Sequence, residues 1–550
     1  MAKKILIIGG VAGGASAAAR LRRLDESAEI IMFEKGDYIS FANCGLPYYI
    51  GGAIKNRDDL LLQTPESFYR RFNIEVRTRN EVTGIDPEKK QINVKNHSTG
   101  ETYTESYDKL ILSPGAEPAR PPIPGIDSER IFTLRNVADT DLINDFIDKH
   151  KTRRAVIVGA GYIGLEMAEN LHGRGLSVQV VEMLDQVMPG LDKEMATYLH
   201  GHLRERGVDL LLGDGVSSLH QTSSSLRITL KSGKELDCDF AMLTVGVRPE
   251  VKLTEEAGLE IGSCAGIKVN EHLQTSDPDI YAIGDAVEVR DFVLGNAALI
   301  PLAGPANKQG RMAADNICGL KRTYAGTQGT AILKVFDLTA AMTGASEKAL
   351  SKTNIEYEKL YLHQANHAGY YPGAKPMHIK LLFGKPEGKV LGAQIVGSDG
   401  VDKRIDVFAV AIRAGMTVFD LQELELAYAP PYGSGKDPVN IAGFAAANIL
   451  DGTVKIKHFT ELRKDDFILD VRTPAEFGRG SIPNAKNIPV DDLRGRLDEL
   501  PQDKTIHVYC GIGLRSYIAC RILEQNGFDA RNLPGGYITY RTVANSSQLR

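Results

Sequence analysis

The chain has little cysteine, and none of it is paired in spacing. Six thiols, Cys44, Cys238, Cys264, Cys318, Cys510 and Cys520, are scattered over 550 residues. That excludes a disulfide framework and a zinc cluster, so no metal site is expected; it fits a reducing cytoplasm in which thiols serve chemistry. Also missing is any apolar run of the ~18 residues needed to span a membrane. The four apolar residues Ile5 to Ile8 run straight into Gly9 and Gly10, which suits a buried strand better than a signal segment. Basic residues are not in excess. Lys and Arg total 65 against 70 Asp and Glu, a net charge of −5, so there is no electrostatic footprint for nucleic acid.

What remains is an ordinary composition, 43% hydrophobic and 25% charged. At ~150 residues per domain, its length implies three or four domains.

Two nucleotide fingerprints stand out. Lys4 to Ile8 reads as a parallel strand, followed by Gly9-Gly10-Val11-Ala12-Gly13-Gly14 and an Ala-rich helix from Ala15 to Leu24. A second strand, Glu29 to Phe33, ends at Glu34. The glycines let the backbone approach a pyrophosphate, the helix N-terminus adds N–H groups, and the acid holds a ribose hydroxyl. Val11 replaces the middle glycine. The second fingerprint, Gly159-Ala160-Gly161-Tyr162-Ile163-Gly164, follows a strand from Ala155 and precedes a helix from Leu165 to Arg174. A strand from Ser177 to Val181 then ends at Glu182, with no arginine in Met183 to Gln186. Glu182 would hold both ribose hydroxyls and repel a 2′-phosphate, which favours NADH over NADPH. Glu166, one turn into that helix, lies near the nicotinamide in this reading.

Between the two units runs Ser40-Phe41-Ala42-Asn43-Cys44-Gly45-Leu46-Pro47-Tyr48-Tyr49. A dithiol centre of Cys-x4-Cys spacing would place its second thiol at position 49, which is tyrosine. Cys44 therefore needs a sulfur from elsewhere, and a small molecule is the expected source. On the first helix, Ser16, Arg20 and Arg23 share one face by i, i+4 and i, i+3 spacing, suited to the anionic phosphates of a substrate.

The turn Ser113-Pro114-Gly115, the proline-rich run to Pro124, and Thr275 to Ala286 with Gly284-Asp285 complete a pattern. Together with the two fingerprints it resembles the pyridine nucleotide-disulfide oxidoreductases. That resemblance implies FAD in a discontinuous domain, with Asp285 on the ribityl chain and further cofactor contacts at Lys35, Gly246 and Ala303. It also implies a homodimer, built through an antiparallel domain that lends side chains to the partner's site. Two tyrosine-rich stretches there, His367 to Gly373 and Glu425 to Pro438, contain Tyr370, Tyr428 and Lys436. With Ser40 to Tyr49 they closely resemble coenzyme A-disulfide reductases. By that match Cys44 forms a mixed disulfide with coenzyme A, Tyr370 and Tyr428 of the other subunit assist the thiolate, and Ser16, Arg20, Arg23, Ser40, Asn43, Arg71, Asn307 and Lys436 contact CoA.

A new unit begins near residue 458. The apolar strand Ile506 to Tyr509 stops at Cys510, and Gly511-Ile512-Gly513-Leu514-Arg515 loops into a helix from Ser516. Backbone N–H groups and the helix dipole there would lower a thiol's pKa and cradle a persulfide, with the flexible loop opening the site. A phosphatase loop, Cys-x5-Arg, needs one residue more than the four between Cys510 and Arg515. The segment resembles a rhodanese domain with Cys510 as sulfur acceptor.

The expected fold is α/β: two Rossmann-like three-layer domains for FAD and NAD, an α+β dimerisation domain and an α/β rhodanese domain. The expected boundaries are 1–150 and 276–330 for FAD, 151–275 for NAD, 331–447 for dimerisation, 448–457 as linker and 458–550 for rhodanese. The expected function is NADH-driven reduction of CoA persulfide, polysulfide or CoA disulfide at Cys44, with sulfane sulfur carried on Cys510. Two alternatives stay open. One is an NADH oxidase or peroxidase using a Cys44 sulfenic acid, although Val11-Ala12 offers no polar base in the first fingerprint. The other is a low-turnover sulfur-trafficking or redox-sensing module.

Overall fold

A computed structural model describes residues 2–547, so the last three residues of the expected 458–550 segment lie outside it. The described chain forms two compact units: Met1–Met183 with Val208–Gly329, and Leu184–Gly207 with the chain from Thr330 onward.

Unit 1 holds two parallel sheets. The first is ordered Ile280–Ala282, Lys109–Leu112, Lys4–Ile8, Glu29–Glu34, Glu75–Thr78. Its central strands are apolar on both faces because helices cover one side and the antiparallel strands carrying Val82, Ile85, Ile92 and Val94 the other. The second sheet runs Asp209–Leu212, Ser177–Glu182, Arg154–Val158, Phe240–Leu243, Ile131–Phe132. The strand Ile280–Ala282 thus returns to the first sheet after the second is complete. Each sheet gains a three-stranded antiparallel partner, Asn80 to Ser106 and Val216 to Cys238, which their alternating burial supports. The sequence reading did not anticipate either.

The strand-to-helix turn explains the fingerprint. Gly9 has φ +97°, and a Cβ there would lie 2.1 Å from the carbonyl oxygen of Ser113 on the neighbouring strand's end. Only glycine lets the chain turn so tightly against that strand. The following helix starts at Ala12, three residues before the sequence expectation, and the second at Tyr162 instead of Leu165. In both, part of the glycine motif is the first helical turn.

Unit 2 contains a five-stranded antiparallel sheet, ordered Ala331–Val335, Leu338–Gly344, Val390–Gly397, Pro376–Gly384, Tyr357–Ala365. The edge strand Tyr357–Ala365 was unread in the sequence. A parallel sheet, Lys486–Asn487, Phe467–Asp470, Ile506–Tyr509, Ala530–Asn532, forms the C-terminal part. The helix Pro438–Leu450 reaches into the segment expected as linker, and Lys457 N–H bonds the Asn532 carbonyl, so the connection is itself part of the fold. The C-terminal part also packs on the antiparallel sheet's edge. His363 Nε2 meets Thr539 Oγ1 at 2.8 Å, and His458 Nε2 meets Glu358 Oε1 at 2.9 Å.

A buried cation ties the segment Leu184–Gly207 to this sheet. Lys380 Nζ, fully buried, lies 2.8 Å from Asp192, 2.5 Å from Glu194 and 2.6 Å from Glu347. These carboxylates could group around a metal ion, but the ammonium stands among them. Burial works to raise the Glu347 pKa, yet Lys380 and Lys359 outweigh it and hold it at about 2. Removing one member of such a network leaves uncompensated buried charge. Lys380→Met is expected to destabilise the chain by about 3–5 kcal/mol, read from urea unfolding at pH 7. Glu347's contribution is fully present above its usual pKa near 4.5 and is lost as pH falls towards 2. The difference between variant and wild type should therefore shrink in acid.

Candidate functional site

Cys44 lies in the single turn Asn43–Gly45, leading into the helix Leu46–Ile50. The segment is pinned on both sides. Ser40, in the left-handed region at φ 46°, donates its N–H to the Gly10 carbonyl at 2.8 Å, and Ala42 N–H bonds Leu60. The thiol and Asn43 are exposed. Partial burial, then the charges of Glu166 and Asp285, push the Cys44 pKa up. This chain's own neighbours favour the thiol over the thiolate.

Two residues explain how a proton can nonetheless be managed. Tyr48, one turn beyond Cys44, donates its hydroxyl to Glu166 Oε1 at 3.2 Å. Burial, with Glu169 adding to it, raises the Glu166 carboxyl to about 7 against the lowering effect of Tyr48's hydrogen bond. Glu166 thus exchanges a proton near neutrality close enough to Cys44 to feel its charge. Tyr48 had no assigned role in the sequence, although its i+4 spacing from the cysteine was a usable signal.

The residues expected to contact the cofactors fall into two groups. Gly9, Gly10, Ala12, Gly13 and Gly14 form the first turn and helix start, and Gly159, Gly161, Tyr162, Ile163 and Gly164 the second. Ser113, Pro114 and Gly115 follow the adjacent strand, with Arg135 donating to the Pro114 carbonyl. Glu34 accepts N–H bonds from Gly10 and Gly36 on separate oxygens, and the buried Glu182 accepts from Ala160 at 2.7 Å. Each acid thereby braces its own glycine turn. Lys35 pairs with Glu250 at 3.0 Å. Gly246 lies beyond the strand Phe240–Leu243, and Ala303 starts the helix Ala303–Ile317.

Two observations fit bound dinucleotides. A Cβ on Gly161 would meet nothing within 4 Å, so open space lies where the middle glycine must admit a pyrophosphate. Asp285, its carboxyl pushed up by burial, meets no hydrogen-bond donor among the described residues. A half-buried acid of this kind suits a ligand hydroxyl. Gln309 Oε1, unread in the sequence, braces the turn by accepting the Gly284 N–H at 2.7 Å.

The expected CoA contacts are only partly assembled. Helices Ala12–Leu24 and Ala303–Ile317 pack closely because Gly310 has no side chain; a Cβ there would lie 2.3 Å from the Gly13 carbonyl. This brings Ser16 Oγ and Asn307 Oδ1 into a hydrogen bond. Arg20 is joined to Asp315 at 2.7 Å, so its charge is offset, a partner the sequence reading missed. Arg23 and Arg71 are exposed on separate helices.

In unit 2 the two chosen tyrosines meet. Tyr370 and Tyr428 hydroxyls lie 2.8 Å apart, both exposed, and that hydrogen bond raises the Tyr370 pKa. Lys436 is exposed in the loop before Pro438.

Cys510 differs from expectation. It is fully buried, not opened by its loop. Its sulfur accepts the Gly513 N–H at 3.1 Å and the Ser516 hydroxyl at 3.6 Å. The helix begins at Leu514, so Gly513 is its cap and the sulfur sits at the helix N-terminus. The loop closes around the sulfur because its N–H groups have an acceptor there. Arg515 forms two bonds to Glu476, 2.7 and 2.6 Å, another partner absent from the sequence reading.

Glu166→Gln removes the titrating charge near Cys44. The pH midpoint of Cys44 alkylation by iodoacetamide, followed by mass spectrometry, is expected to fall by about half to one unit. An unchanged or higher midpoint contradicts the placement of Glu166.

Residues 3–310 match the pyridine nucleotide-disulphide oxidoreductase family, 330–436 its dimerisation domain and 456–541 the rhodanese-like domain. A coenzyme A disulfide reductase of Staphylococcus haemolyticus is 40% identical over 448 residues, 81% of this chain and 100% of that protein. The crystal structure of reduced Bacillus anthracis CoADR-RHD is 53% identical, with a TM-score of 0.97 over 99% of each chain. An NAD-dependent persulfide reductase from A. fulgidus is 40% identical, with a TM-score of 0.92 over 98% of this chain and 100% of that one. Among the described residues no helix is long and apolar enough to cross a membrane.

Proposed function

The chain belongs to the pyridine nucleotide-disulphide oxidoreductase family, and from that premise we propose a cytoplasmic, homodimeric reductase of CoA persulfide, polysulfide and CoA disulfide that uses NADH. The observation that carries this reading is the single exposed thiol, Cys44, at a site with no second cysteine within reach of a Cys-x4-Cys pair. With no cysteine at the Cys-x4-Cys position, a mixed disulfide of Cys44 with a small thiol is the oxidised state this reading assigns. The similarity to a coenzyme A disulfide reductase and a persulfide reductase supports coenzyme A as that thiol.

FAD held by the first glycine turn and Asp285, and NADH held at the second turn with Glu182, would supply two electrons at Cys44. The remaining chemistry belongs to this chain. Cys44 thiolate attacks the CoA-bound sulfur of CoA–S–SH, forming Cys44–S–S–CoA and releasing HS⁻. Two electrons and one proton then return Cys44 as thiolate and free CoA–SH. With CoA disulfide the same attack releases CoA thiolate instead. Glu166, relayed through Tyr48, holds the proton that leaves the Cys44 thiol. The hydrogen-bonded Tyr370–Tyr428 pair, contributed from the other subunit, donates to the departing thiolate. Ser16, Asn43, Asn307, Arg23 and Arg71 line up as CoA contacts, with Lys436 from the other subunit and Arg20 acting jointly with Asp315. Cys510, cradled by Gly513 N–H, carries sulfane sulfur to CoA as Cys510–S–SH.

NADH oxidation and sulfide release test this directly, with CoA persulfide, CoA disulfide and hydrogen peroxide as separate substrates. Cys44→Ser is expected to abolish turnover with both CoA substrates, and Cys510→Ser to stop delivery of sulfane sulfur to CoA. Tyr370→Phe or Tyr428→Phe is expected to slow turnover about tenfold, since a positioned acid contributes ~10²–10⁴ in rate and one phenol would remain. Retained activity in Cys44→Ser, or faster NADH use with peroxide, overturns the proposal.

A further inference from the structure

The charges beside Cys510 are balanced in pairs. Arg515 is the second residue of the sulfur's helix and makes two bonds to Glu476. Both side chains lie over the cysteine's neighbour: a Cβ on Gly511 would be 3.4 Å from Arg515 Nη2 and 3.9 Å from Glu476 Oε1. Arg515's hydrogen bonds hold the Glu476 carboxyl ionised, at about 2. The other nearby guanidinium, Arg472, stacks over the ring of Tyr509, the residue before Cys510. It too is paired, by two bonds to the fully buried Asp470 at 3.0 and 2.6 Å. Each arginine is thus matched by one carboxylate, and the attraction for an anion at the sulfur comes mainly from the Gly513 N–H, the Ser516 hydroxyl and the helix terminus, with Arg515's pull offset by Glu476. The rim of the loop is aliphatic, with Ile512, Leu514 and Ile518 exposed.

We infer that the Glu476–Arg515 ion pair makes the Cys510 site selective for organic persulfides and turns away compact dianions such as thiosulfate. The inference rests on the reading of Cys510 as a sulfur acceptor. A persulfide brings one negative charge, on the sulfur that enters the N–H cradle, and an organic group that suits the aliphatic rim. Thiosulfate would set a second charge, on its sulfonate, at a mouth holding the Glu476 carboxylate. The transfer is balanced for the favoured donor: the Cys510 sulfur attacks the terminal sulfur of R–S–S⁻ as its thiol proton leaves, the S–S bond of the donor breaks, and Cys510–S–S⁻ and R–SH form, the thiol proton passing to the departing sulfur. With thiosulfate the leaving group is sulfite.

The test uses the full-length protein with two donors, glutathione persulfide and thiosulfate, and reads sulfur loading of Cys510 by mass spectrometry of trapped persulfide. Glu476 also caps the short helix Pro474–Gly478 through Thr473, a role glutamine retains, so Glu476→Gln preserves the local fold. Glu476→Gln should raise the ratio of kcat/KM for thiosulfate over persulfide about tenfold, the scale of one partly screened charge. The double variant Glu476→Gln/Arg515→Gln should bring the ratio back towards wild type. A ratio unmoved by Glu476→Gln, or a wild type that loads equally well from both donors, overturns the charge filter. Loading that persists at the same rate in Cys510→Ser, with the sulfur found elsewhere, overturns the sulfur-acceptor reading itself.

Discussion

At Gly9 the backbone passes so close to Ser113 that no side chain fits, and the rest of unit 1 is arranged around that approach. The turn aims the helix Ala12–Leu24 at the end of the sheet. The helix Ala303–Ile317 then packs against it at Gly13 through Gly310. Gly10 contributes its N–H to Glu34 and its carbonyl to Ser40, so the same turn fixes both the ribose acid and the cysteine segment. A side chain at Gly9 would therefore disturb the glycine turn and the position of Cys44 together.

The second constraint is chemical. One thiol can be oxidised to a disulfide only with a sulfur that is not its own neighbour, and a chain that uses one must control the protons of two separate thiolates. The structure divides that task. Glu166, titrating at about 7, sits on the Cys44 side with Tyr48. The Tyr370–Tyr428 pair offers an exposed phenol donor in unit 2. Cys510 follows a different rule: its sulfur is buried and held by N–H and O–H donors, which suits storage of an anionic persulfide more than rapid disulfide exchange. Cys44, exposed with its pKa raised, and Cys510, buried in a donor cradle, thus sit in opposite environments, as the proposed division of steps requires.

The parts of this arrangement that were legible in the sequence are those set by backbone necessity. Both fingerprints, the Gly284-Asp285 turn and the strand-Cys510-helix junction rest on glycines and apolar strands, whose constraints are local. The pairing of Tyr370 with Tyr428 came from resemblance, since 58 residues separate them and no local rule joins them. Long-range polar partners escaped entirely. Asp315 opposite Arg20, Glu476 opposite Arg515 and the carboxylates around Lys380 are ordinary surface-type residues in sequence, and only packing makes them specific. The openness expected of the Gly511–Gly513 loop failed for a related reason: glycine permits an open loop but does not require one, and the sulfur's need for donors closed it. The edge strand Tyr357–Ala365 was missed because Lys359 and His363 interrupt its apolar pattern, and those side chains are taken up by Glu347, His378 and Thr539.

The account's central claim is that Cys44 takes its second sulfur from a small thiol. The most direct measurement is the state of Cys44 in the protein as isolated without reductant, by mass spectrometry of its peptide and assay of thiols released on reduction. The account predicts a mixed disulfide on Cys44 that releases about one CoA per chain on treatment with dithiothreitol. A Cys44 that carries oxygen as a sulfenic acid, or that is disulfide-bonded to another cysteine of the chain, would contradict it.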